Sequence, residues 1–289
     1  MGIDARTPIP TTAGWLPARL LKPGNEVFTY EGLPVKVLSV HEYTPVGCYK
    51  IWMRDGLTLV ADGRTGIPAY NKKTFTHMAI WARTTYRQVT DLDIYAPQNM
   101  CNINTGWSRL PTCYPIRPTA KPLPVEPFRF GQWIGNPFRV TDKETCAILA
   151  KSYGKTPDHI PEDYLFSSFE QRLAILRGVC SARKKCHSRV SGKFRFNFSN
   201  LRMFRSVHNL VESLGIRAEI VARKSSYHML FATCLRLLED QVPVRRPQYW
   251  EVRHATHVTE VDIRPCVHIK TEDPNNTILV SEGYLTVCL

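Results

Sequence analysis

The sequence predicts an α+β protein in which β-rich segments at the two ends of the chain enclose a mixed α/β middle. Residues 7–70 and the segment after Tyr249 contain short alternating runs of Val, Tyr and Ile, which are typical of strands. The middle carries apolar residues at helical spacing between capping residues. A stretch crowded with Pro and polar residues separates the first β-rich segment from the helices. We therefore divide the chain into a first β part (1–96), a Pro-rich linker (97–127), an α/β part (128–240) and a second β part (241–289).

The first β part is predicted to contain two hairpins. The runs EVFTYEGLPVKVLSVHEY and CYKIWMRDGLTLVADG each hold two strand-like stretches on either side of a Gly-containing turn. The chain returns to β character from Tyr249 to its last segment, CVHIKTEDPNNTILVSEGYLTVCL. We therefore expect both ends of the chain to contribute strands.

Three helices are predicted in the middle of the chain from their start and stop signals. Asp142 is expected to cap KETCAILAKSYG, and Pro161 is expected to open EDYLFSSFEQRLAILRGV. Ser199 or Asn200 is expected to begin LRMFRSVHNLVESLG, which Gly215 closes.

One strand is predicted between the last two helices, in the run GKFRFNFSN. Strict alternation places three Phe residues on one face and polar residues on the other, as in a half-buried strand. The apolar face is expected to pack under the helices, so it consists of core residues and not of base-stacking ones. These residues are Phe194, Phe196 and Phe198, opposite Lys193, Arg195 and Asn197.

The chain is strongly basic, with 38 Lys and Arg against 25 Asp and Glu in 289 residues and a net charge of +13. The basic residues are interleaved with Phe, Tyr and Trp across segments that look folded. Nucleic acid is therefore the first expected partner. A basic protein without a nucleic-acid role is the alternative that composition leaves open.

Nothing in the sequence points to a metal, a cofactor or a membrane. The nine Cys residues are odd in number and their spacings match no zinc pattern, so we expect ordinary thiols and no structural metal. No apolar run approaches the roughly 18 residues that a membrane span needs. The first residues, MGIDARTPIP, lack the basic and apolar regions of a secretion signal. We expect a cytoplasmic monomer without a cofactor.

The order of several segments along the chain matches that of a known family. TPIPTTAGWLPARLLKPGNEVFTYEGLPVKVLSV, CYKIWMRDGLTLVADGRT and VDIRPCVHIKTEDPNNTILVSEGYLTVCL are similar to the opening, second and closing blocks of phage-type inteins, or Hint domains. IPEDYLFSSFEQRLAILRGVCSARKK and LRMFRSVHNLVESLGI resemble the second repeat of a LAGLIDADG homing endonuclease inserted in such an intein. The resemblance implies an all-β Hint-like domain, formed by both ends of the chain and interrupted by a degenerate LAGLIDADG-like α/β domain.

The resemblance implies that the splicing residues have been lost. The first intein position, where a thiol or hydroxyl attacks the upstream carbonyl, falls at Gly2 when counted back from Thr7. The block that usually reads Ala-Asp-x-x-His reads ADGRT and ends at Thr65. The terminal asparagine that normally cyclises after a histidine corresponds to Cys288 and Leu289. We therefore expect no splicing activity.

The nuclease residues are expected to be lost in the same way. Each LAGLIDADG helix of the family ends in a carboxylate that binds the catalytic divalent metal. The segment RFGQWIGNP places Asn136 at the first of these positions, and LRGVCSARK places Arg183 at the second. Neither side chain replaces an anionic metal ligand, so we expect no strand cleavage and no catalytic residue.

The basic run that follows the second LAGLIDADG-like helix is the predicted nucleic-acid site. It lies where the family's helix end approaches the phosphate backbone, and phosphate binding by charge needs no metal. A solvated basic turn without a partner is the alternative. The candidate binding residues are Arg183, Lys184, Lys185, His187, Arg189, Lys193, Arg195, Asn197, Arg202 and Arg205.

The length of the middle segment favours RNA over duplex DNA. Only 25 residues run from Asn136 to Ile160, too few for the first repeat's strands and return helices, so half of the family's DNA-binding saddle is missing. We therefore predict a non-catalytic binder of structured RNA, with ribosomal RNA or the ribosome as one candidate, and a phage-like ancestry would make host machinery, in the host-cell cytoplasm, a natural target. The alternatives are a divergent homing endonuclease or intein that binds or nicks duplex DNA, and a protein-binding module.

Overall fold

A computed structural model of the chain describes residues 1–70, 93–100, 108–154, 158–183, 186–188, 193–223, 226–233, 235, 237–238 and 252–289. The chain divides into two compact units. The first unit consists of Met1–Ile116 and Glu251–Leu289, and the second of Arg117–Trp250. The assignment of these units to intein and endonuclease parts remains a prediction.

Strands dominate the first unit, and the second contains both helices and strands. The strands, numbered in chain order, are β1 (Ile3–Asp4), β2 (Pro8–Thr11), β3 (Gly14–Pro17), β4 (Glu26–Phe28), β5 (Pro34–Tyr43), β6 (Cys48–Met53), β7 (Thr58–Asp62), β8 (Ile67–Ala69), β9 (Asp93–Tyr95), β10 (Ser108–Pro111), β11 (Phe194–Phe198), β12 (Ala218–Arg223), β13 (Ser226–Phe231), β14 (Val252–Val261), β15 (Cys266–Thr271), β16 (Thr277–Val280) and β17 (Leu285–Cys288). The helices are α1 (Pro97–Met100), α2 (Pro127–Gly135), α3 (Lys143–Tyr153), α4 (Glu162–Leu165), α5 (Phe169–Ala182) and α6 (Leu201–Ser213).

Ten of the described strands form one antiparallel sheet in the first unit. Its order is β10-β14-β6-β7-β1-β15-β5-β4-β2-β3. The strand nearest the N-terminus, β1, lies between β7 and β15, with Ile3 opposite Ala61 on one side and Val267 on the other. Both ends of the chain therefore meet in this sheet, as the β character of the two terminal segments predicts. The core beneath it consists of buried aliphatic side chains, among them Val27, Val37, Ile51, Leu59, Val267, Ile269, Ile278 and Val287.

The two hairpins predicted near the N-terminus are confirmed. Strand β4 pairs with β5, and β6 pairs with β7, both antiparallel. The connecting turns contain Gly32 and Gly56, whose φ angles are +75° and +88°. A residue with a Cβ is disfavoured at such angles, so these glycines are what allow the chain to reverse there.

The Pro-rich segment differs from the predicted linker, because part of it joins the sheet. Strand β10 pairs with β14, with Leu110 opposite Arg253, and it forms an edge of the sheet. Pro111 is accommodated there because an edge strand has one side without a ladder partner. The boundary between the units falls at 116/117, inside this segment.

The helix predicted to start at Pro161 is two helices, α4 and α5. The helix is interrupted at residues 166–168. Helix α5 then begins with a capping box, in which the Ser168 hydroxyl accepts from Gln171 N and the Gln171 side chain accepts from Ser168 N. Ser favours this local bonding over a continuous helix. The predicted cap at Asp142 is confirmed, because its carboxylate accepts from Thr145 N at 2.8 Å. Asn200 and not Ser199 caps α6.

A three-stranded antiparallel sheet of order β11-β13-β12 completes the described part of the second unit. The predicted alternation of β11 is confirmed, since its three Phe side chains are buried and the residues between them are exposed. Helix α6 packs on the Phe face, where the Phe198 and Phe204 rings lie 6.0 Å apart. Within the described residues, no helix has the length and apolar character needed to cross a membrane.

Candidate functional site

Two groups of residues named from the sequence occupy defined places, one in each unit. In the first unit, Gly2 and Thr65 are hydrogen-bonded to each other although 63 positions separate them. The Gly2 N–H donates to Thr65 Oγ1 at 3.0 Å, and the Thr65 hydroxyl donates to Gly2 O at 2.6 Å. The pairing of β1 with β7 brings them together, because Gly2 precedes β1 and Thr65 follows β7. Gly2, which the resemblance assigns to the first intein position, thus adjoins the end of the ADGRT block.

The C-terminal residues reach the same place. Gly66 and Cys288 exchange two backbone hydrogen bonds, Gly66 N to Cys288 O at 3.1 Å and Cys288 N to Gly66 O at 2.8 Å. Leu289 is held by Asn276, whose backbone oxygen accepts from Leu289 N at 3.2 Å and whose side-chain amide donates to Leu289 O. The four positions that the resemblance assigned to splicing therefore form one cluster, which we call the Gly2 cluster: Gly2, Thr65, Cys288 and Leu289.

The space around Gly2 is closed to a side chain. A Cβ placed on Gly2 would lie 2.6 Å from Val267 O and 2.9 Å from the Tyr43 hydroxyl, shorter than real Cβ contacts. One of these neighbours is a backbone oxygen of β15, which cannot move without disturbing the sheet. Gly2 therefore carries no nucleophile, and its surroundings leave no space for a side chain.

Tyr43 and Asp62 form a polar pair beside the Gly2 cluster. The Tyr43 hydroxyl donates to Asp62 Oδ2 at 2.6 Å, and Arg64 N donates to Asp62 Oδ1 at 3.1 Å. Burial raises the pKa of Asp62, but the bonds from Tyr43 and Arg64 outweigh burial, and the net pKa lies below its usual value. Burial, together with the bond to Asp62, raises the pKa of Tyr43. Asp62 is therefore a buried carboxylate, and Tyr43 keeps its proton.

His268 and Tyr43 are residues of this site that the sequence reasoning missed. His268 Nδ1 lies 3.0 Å from Met1 O, the carbonyl of the peptide bond that precedes Gly2. The available signals were positional: His268 lies in the strand that pairs with β1, and Tyr43 ends the strand that pairs with β15. Neither could be placed before the register of those strands was known.

The thiol in the Gly2 cluster is not prepared for attack. Burial and the nearby Asp273 carboxylate raise the pKa of Cys288 to about 11. A thiol with that pKa carries almost no thiolate at neutral pH, and the thiolate is the nucleophile. Within the described residues no group of three or more His, Cys, Asp or Glu side chains has the arrangement to hold a metal ion.

In the second unit, the helices named as LAGLIDADG-like, α2 and α5, are packed backbone to backbone. A Cβ on Gly131 would lie 2.0 Å from Ile175 O, and a Cβ on Gly178 would lie 2.2 Å from Phe128 O. Each glycine therefore lets one helix approach the carbonyl groups of the other. A glycine in the middle of a helix costs about 1 kcal/mol relative to alanine, so its presence here reflects the close crossing.

The two positions that the resemblance assigns to metal-binding acids lie at the same end of this helix pair. Gly135, the last residue of α2, faces Val179 O and the Ala182 side chain near the end of α5. Asn136 and Arg183 directly follow these helix ends. Asn136 accepts from Phe138 N at 3.1 Å and so caps a short 3-10 turn, Pro137–Arg139.

Arg183 differs from the free basic side chain that the sequence suggested. Its guanidinium carbon lies 4.3 Å from the centroid of the Phe198 ring and 5.5 Å from that of Phe196, and Nη1 donates to Asn197 O at 2.8 Å. Burial lowers the pKa of Arg183, while the Cys186 and Cys180 thiols act in the opposite direction. The side chain thus ties the end of α5 to β11, and its predicted phosphate contact remains a prediction.

The basic run after α5 is only partly described. Lys184, Lys185 and Arg189 lie outside the described residues. His187 is half-buried and pairs with Phe194 in an antiparallel bridge, and its ring lies 4.7 Å from the Phe194 ring. Ser188 N donates to Lys193 O at 2.9 Å, and Arg195 N donates to Cys186 O at 2.7 Å. The chain at 186–188 therefore runs along the outer edge of β11.

The face of the sheet opposite α6 presents the polar residues predicted for contact. Arg195 and Asn197 are exposed and Lys193 is half-buried. The neighbouring strand adds His228, whose Nδ1 lies 2.6 Å from Asn197 Oδ1 and whose Nε2 lies 2.8 Å from Ser226 Oγ. Sequence reasoning missed His228, although its place in the alternating run SYHMLF was a usable signal. We call this surface the polar sheet face; it consists of Lys193, Arg195, Asn197, Ser226, His228, Leu230 and Glu219.

Arg202 and Arg205 do not extend the polar sheet face, contrary to the expectation from the sequence. Both lie on α6, which packs on the opposite, Phe-lined side of the sheet. Arg202 is exposed and donates to Asp158 Oδ2 at 2.8 Å, and Arg205 is exposed. A helix that covers the buried face cannot present its outer residues on the open face.

No protein-family model matches the chain, and no curated protein sequence matches it. Among solved structures, the chain is similar to the MchDnaB-1 intein, with 11% identity, a TM-score of 0.39 and 99% of each chain covered. It is similar to the zinc-bound Msm DnaB1 intein splicing domain, with 10% identity, a TM-score of 0.37 and 99% of each chain covered. The gp41-1 intein matches 24% of this chain and 52% of its own, with 23% identity and a TM-score of 0.22. The function of this protein has to be inferred from its own residues.

Proposed function

We propose that this chain is a non-catalytic, basic nucleic-acid-binding protein that descends from an intein with a LAGLIDADG-type insert, and that structured RNA is its preferred ligand. The observation that carries the proposal is the polar sheet face. On the side away from α6 it presents exposed Arg195 and Asn197 beside half-buried Lys193 and His228. Such a surface offers cationic and hydrogen-bonding groups to phosphate and sugar oxygens.

The lack of splicing follows from the chemistry of the Gly2 cluster. Splicing needs a nucleophile at the first position, and Gly2 has none and no room for one. The Cys288 thiol, whose pKa is raised to about 11, does not supply a second nucleophile. Thr65 stands where the family's histidine would act, and its hydroxyl bonds back to Gly2 O.

The lack of nuclease activity follows from the end of the α2–α5 helix pair. Asn136 uses its side-chain oxygen to cap the following turn, and Arg183 packs on Phe198. Neither residue is an anionic ligand, and a guanidinium at this place repels a divalent cation. Phosphate contact without cleavage is what such a site supports.

The preference for RNA rests on the size of the sheet. The described part of the second unit contains one three-stranded sheet, and the segment from Asn136 to Ile160 contains helix α3 in place of a second one. A long duplex site needs two such surfaces, whereas structured RNA is recognised by shape, backbone and unpaired segments. Ribosomal RNA is a candidate because it exposes abundant folded phosphate backbone.

Crosslinking in cells tests the proposal. The tagged chain is irradiated with ultraviolet light and purified, and the attached RNA and DNA are both sequenced. The crosslinked peptides are then identified by mass spectrometry. We expect one structured RNA to be enriched and its crosslinks to fall in the peptides that contain β11 and β13. The Arg195→Glu variant should lose the crosslink, and Arg54→Glu, which changes the same charge at an exposed turn of the first unit, should keep it.

Two other results would contradict the proposal. Enrichment of one DNA locus would favour the duplex-binding alternative. A partner protein that stays bound after ribonuclease treatment, with no enriched nucleic acid, would favour the protein-binding alternative.

A further inference from the structure

Phe138 is a large apolar side chain with 91% of its surface exposed. Single exposed apolar residues are common, so exposure alone carries no conclusion. Phe138, however, is held in a defined position and does not sit on a loose loop. Its own N–H donates to Asn136 Oδ1 at 3.1 Å, Arg139 N donates to Asn136 O at 3.0 Å, and Val140 N donates to Pro137 O at 3.4 Å. Because the backbone of this turn is already ordered, binding a ligand to the exposed ring has a low entropic cost.

The position of this turn connects Phe138 with the proposed ligand. The turn follows α2 directly, at the end of the helix pair where Arg183 links α5 to the backbone of β11. The ring thus projects from the turn that follows α2, while Arg183, just after α5, binds the backbone of β11, the strand that carries Arg195 and Asn197 of the polar sheet face.

The charges near Phe138 permit a phosphate beside it. Arg139 is exposed and adjacent in the same turn, and Lys143 is exposed at the start of α3. The acidic groups in this stretch are Asp142 and Glu144; the Asp142 carboxylate is occupied as the cap of α3 by accepting from Thr145 N at 2.8 Å. An exposed guanidinium beside an exposed ring is the combination by which proteins hold one nucleotide, the ring on the base and the cation on the phosphate.

We infer that Phe138 stacks on an unpaired base of the bound RNA, with Arg139 at the adjoining phosphate. A base inside a duplex already stacks on its neighbours, so only an unpaired base in a loop or bulge has a free face to offer the ring. This inference rests on the proposed function and adds the ligand feature that the second unit recognises.

The test uses the full chain and two RNA probes: a hairpin with aminopurine in an unpaired loop, and a blunt duplex with the same stem sequence. Phe138→Ala and Phe138→Leu should each weaken hairpin binding about tenfold and leave duplex binding nearly unchanged, because stacking on one base is lost. Phe138→Trp should retain hairpin binding. The wild-type chain should quench aminopurine fluorescence, and the Ala and Leu variants should not. Thermal unfolding of each variant should match the wild type, since the replaced side chain is exposed.

The outcomes separate the stacking contact from the wider proposal. If the wild type binds the hairpin and Phe138→Ala binds it equally well, the stacking inference is wrong and the proposed function stands. If Phe138→Leu binds like the wild type while Phe138→Ala does not, the contact is apolar and not stacking, which also overturns the inference. If the wild type binds neither probe, nor any RNA recovered by crosslinking, the proposed function fails and the inference fails with it.

Discussion

Gly2 has no side chain, and the groups around it occupy the space that one would need. Its backbone is held by Thr65 on one side and faces Val267 O and the Tyr43 hydroxyl on the other. Each of these groups occupies space that a Cβ would need. The residue is therefore part of the packing of the first unit.

Introducing a side chain at Gly2 should destabilise the protein without producing cleavage of the preceding peptide bond. We expect Gly2→Ala and Gly2→Cys to lower the free energy of unfolding by about 1–3 kcal/mol, the usual cost of overpacking. Urea unfolding measures this loss, and Gly47→Ala is the matched control because its Cβ would meet nothing closer than 3.5 Å. Mass spectrometry of Gly2→Cys after thiol treatment should detect no cleavage at the Met1–Gly2 bond. Cleavage there, or unchanged stability, would contradict the closed site.

Asp62 should make the stability of the first unit sensitive to acid. Its pKa in the folded protein lies below its usual value, so its contribution is fully present above the unfolded pKa of about 3.9 and is lost as the pH falls through the lower folded pKa. We expect Asp62→Asn to lower the unfolding temperature at neutral pH and to make the decline below about pH 4 shallower. Thermal unfolding across this pH range measures both effects. Asp262→Asn, at an exposed position, is the control, and equal pH profiles for all three proteins would refute the role of Asp62.

Helices α2 and α5 show, at the scale of elements, how a few small residues set a geometry. Gly131 and Gly178 remove the side chains that would otherwise separate the helices, and the backbone carbonyls of the partner fill the space. The ends of both helices then come together, which places Arg183 against β11 and the Asn136 turn beside it. The position of the turn that carries Phe138, which follows α2, therefore depends on this helix crossing.

Filling the crossing should destabilise the second unit. Gly131→Ala and Gly178→Ala would each gain about 1 kcal/mol of helix propensity, but the new methyl groups would overlap backbone carbonyls at 2.0 Å and 2.2 Å. We expect the overlap to dominate and to cost about 2 kcal/mol net, because backbone atoms cannot move aside like a flexible side chain. Chemical unfolding measures the change, with the exposed helix position Lys151→Ala as control. A stabilised Gly131→Ala protein would mean that the helices do not cross in this way.

At the scale of the whole molecule, the net charge of +13 favours contact with any polyanion, whether or not a specific surface exists. A specific surface is distinguished from general attraction by comparing equal charge changes at different places. Arg195 lies on the polar sheet face, while Arg54 is exposed in a turn of the first unit. Replacing either residue by Glu lowers the net charge by the same amount.

Salt titration should separate these two variants. We expect Arg195→Glu to weaken RNA binding at least about tenfold and to reduce the slope of log affinity against log salt by about 1, as for the loss of one phosphate contact. Arg54→Glu should change both quantities much less. Filter binding at several salt concentrations measures the slopes, and identical losses for the two variants would indicate general attraction without the polar sheet face.

The sequence by itself determined the features that depend on near neighbours along the chain. The two hairpins, the Asp142 cap, the Asn200 alternative for the cap of α6 and the alternation of β11 follow from turn residues, capping side chains and periodicity, all of which act over a few residues. The break between α4 and α5 was missed, because a continuous helix and a Ser168 capping box both satisfy the same local pattern.

Tertiary structure decided which distant residues meet, since that depends on strand register and helix crossing. The pairing of β1 with β7 brings Gly2 to Thr65, and an isolated bridge brings Gly66 to Cys288. The register of β1 with β15 places His268 beside Met1 O. In the folded protein the Arg183 side chain packs on Phe198 and is not the free cation that the sequence suggested. Arg202 and Arg205 lie on the side of the sheet away from Arg195, because their helix, α6, covers the Phe face. A linear pattern reports which residues are polar, and packing selects the face on which each of them lies.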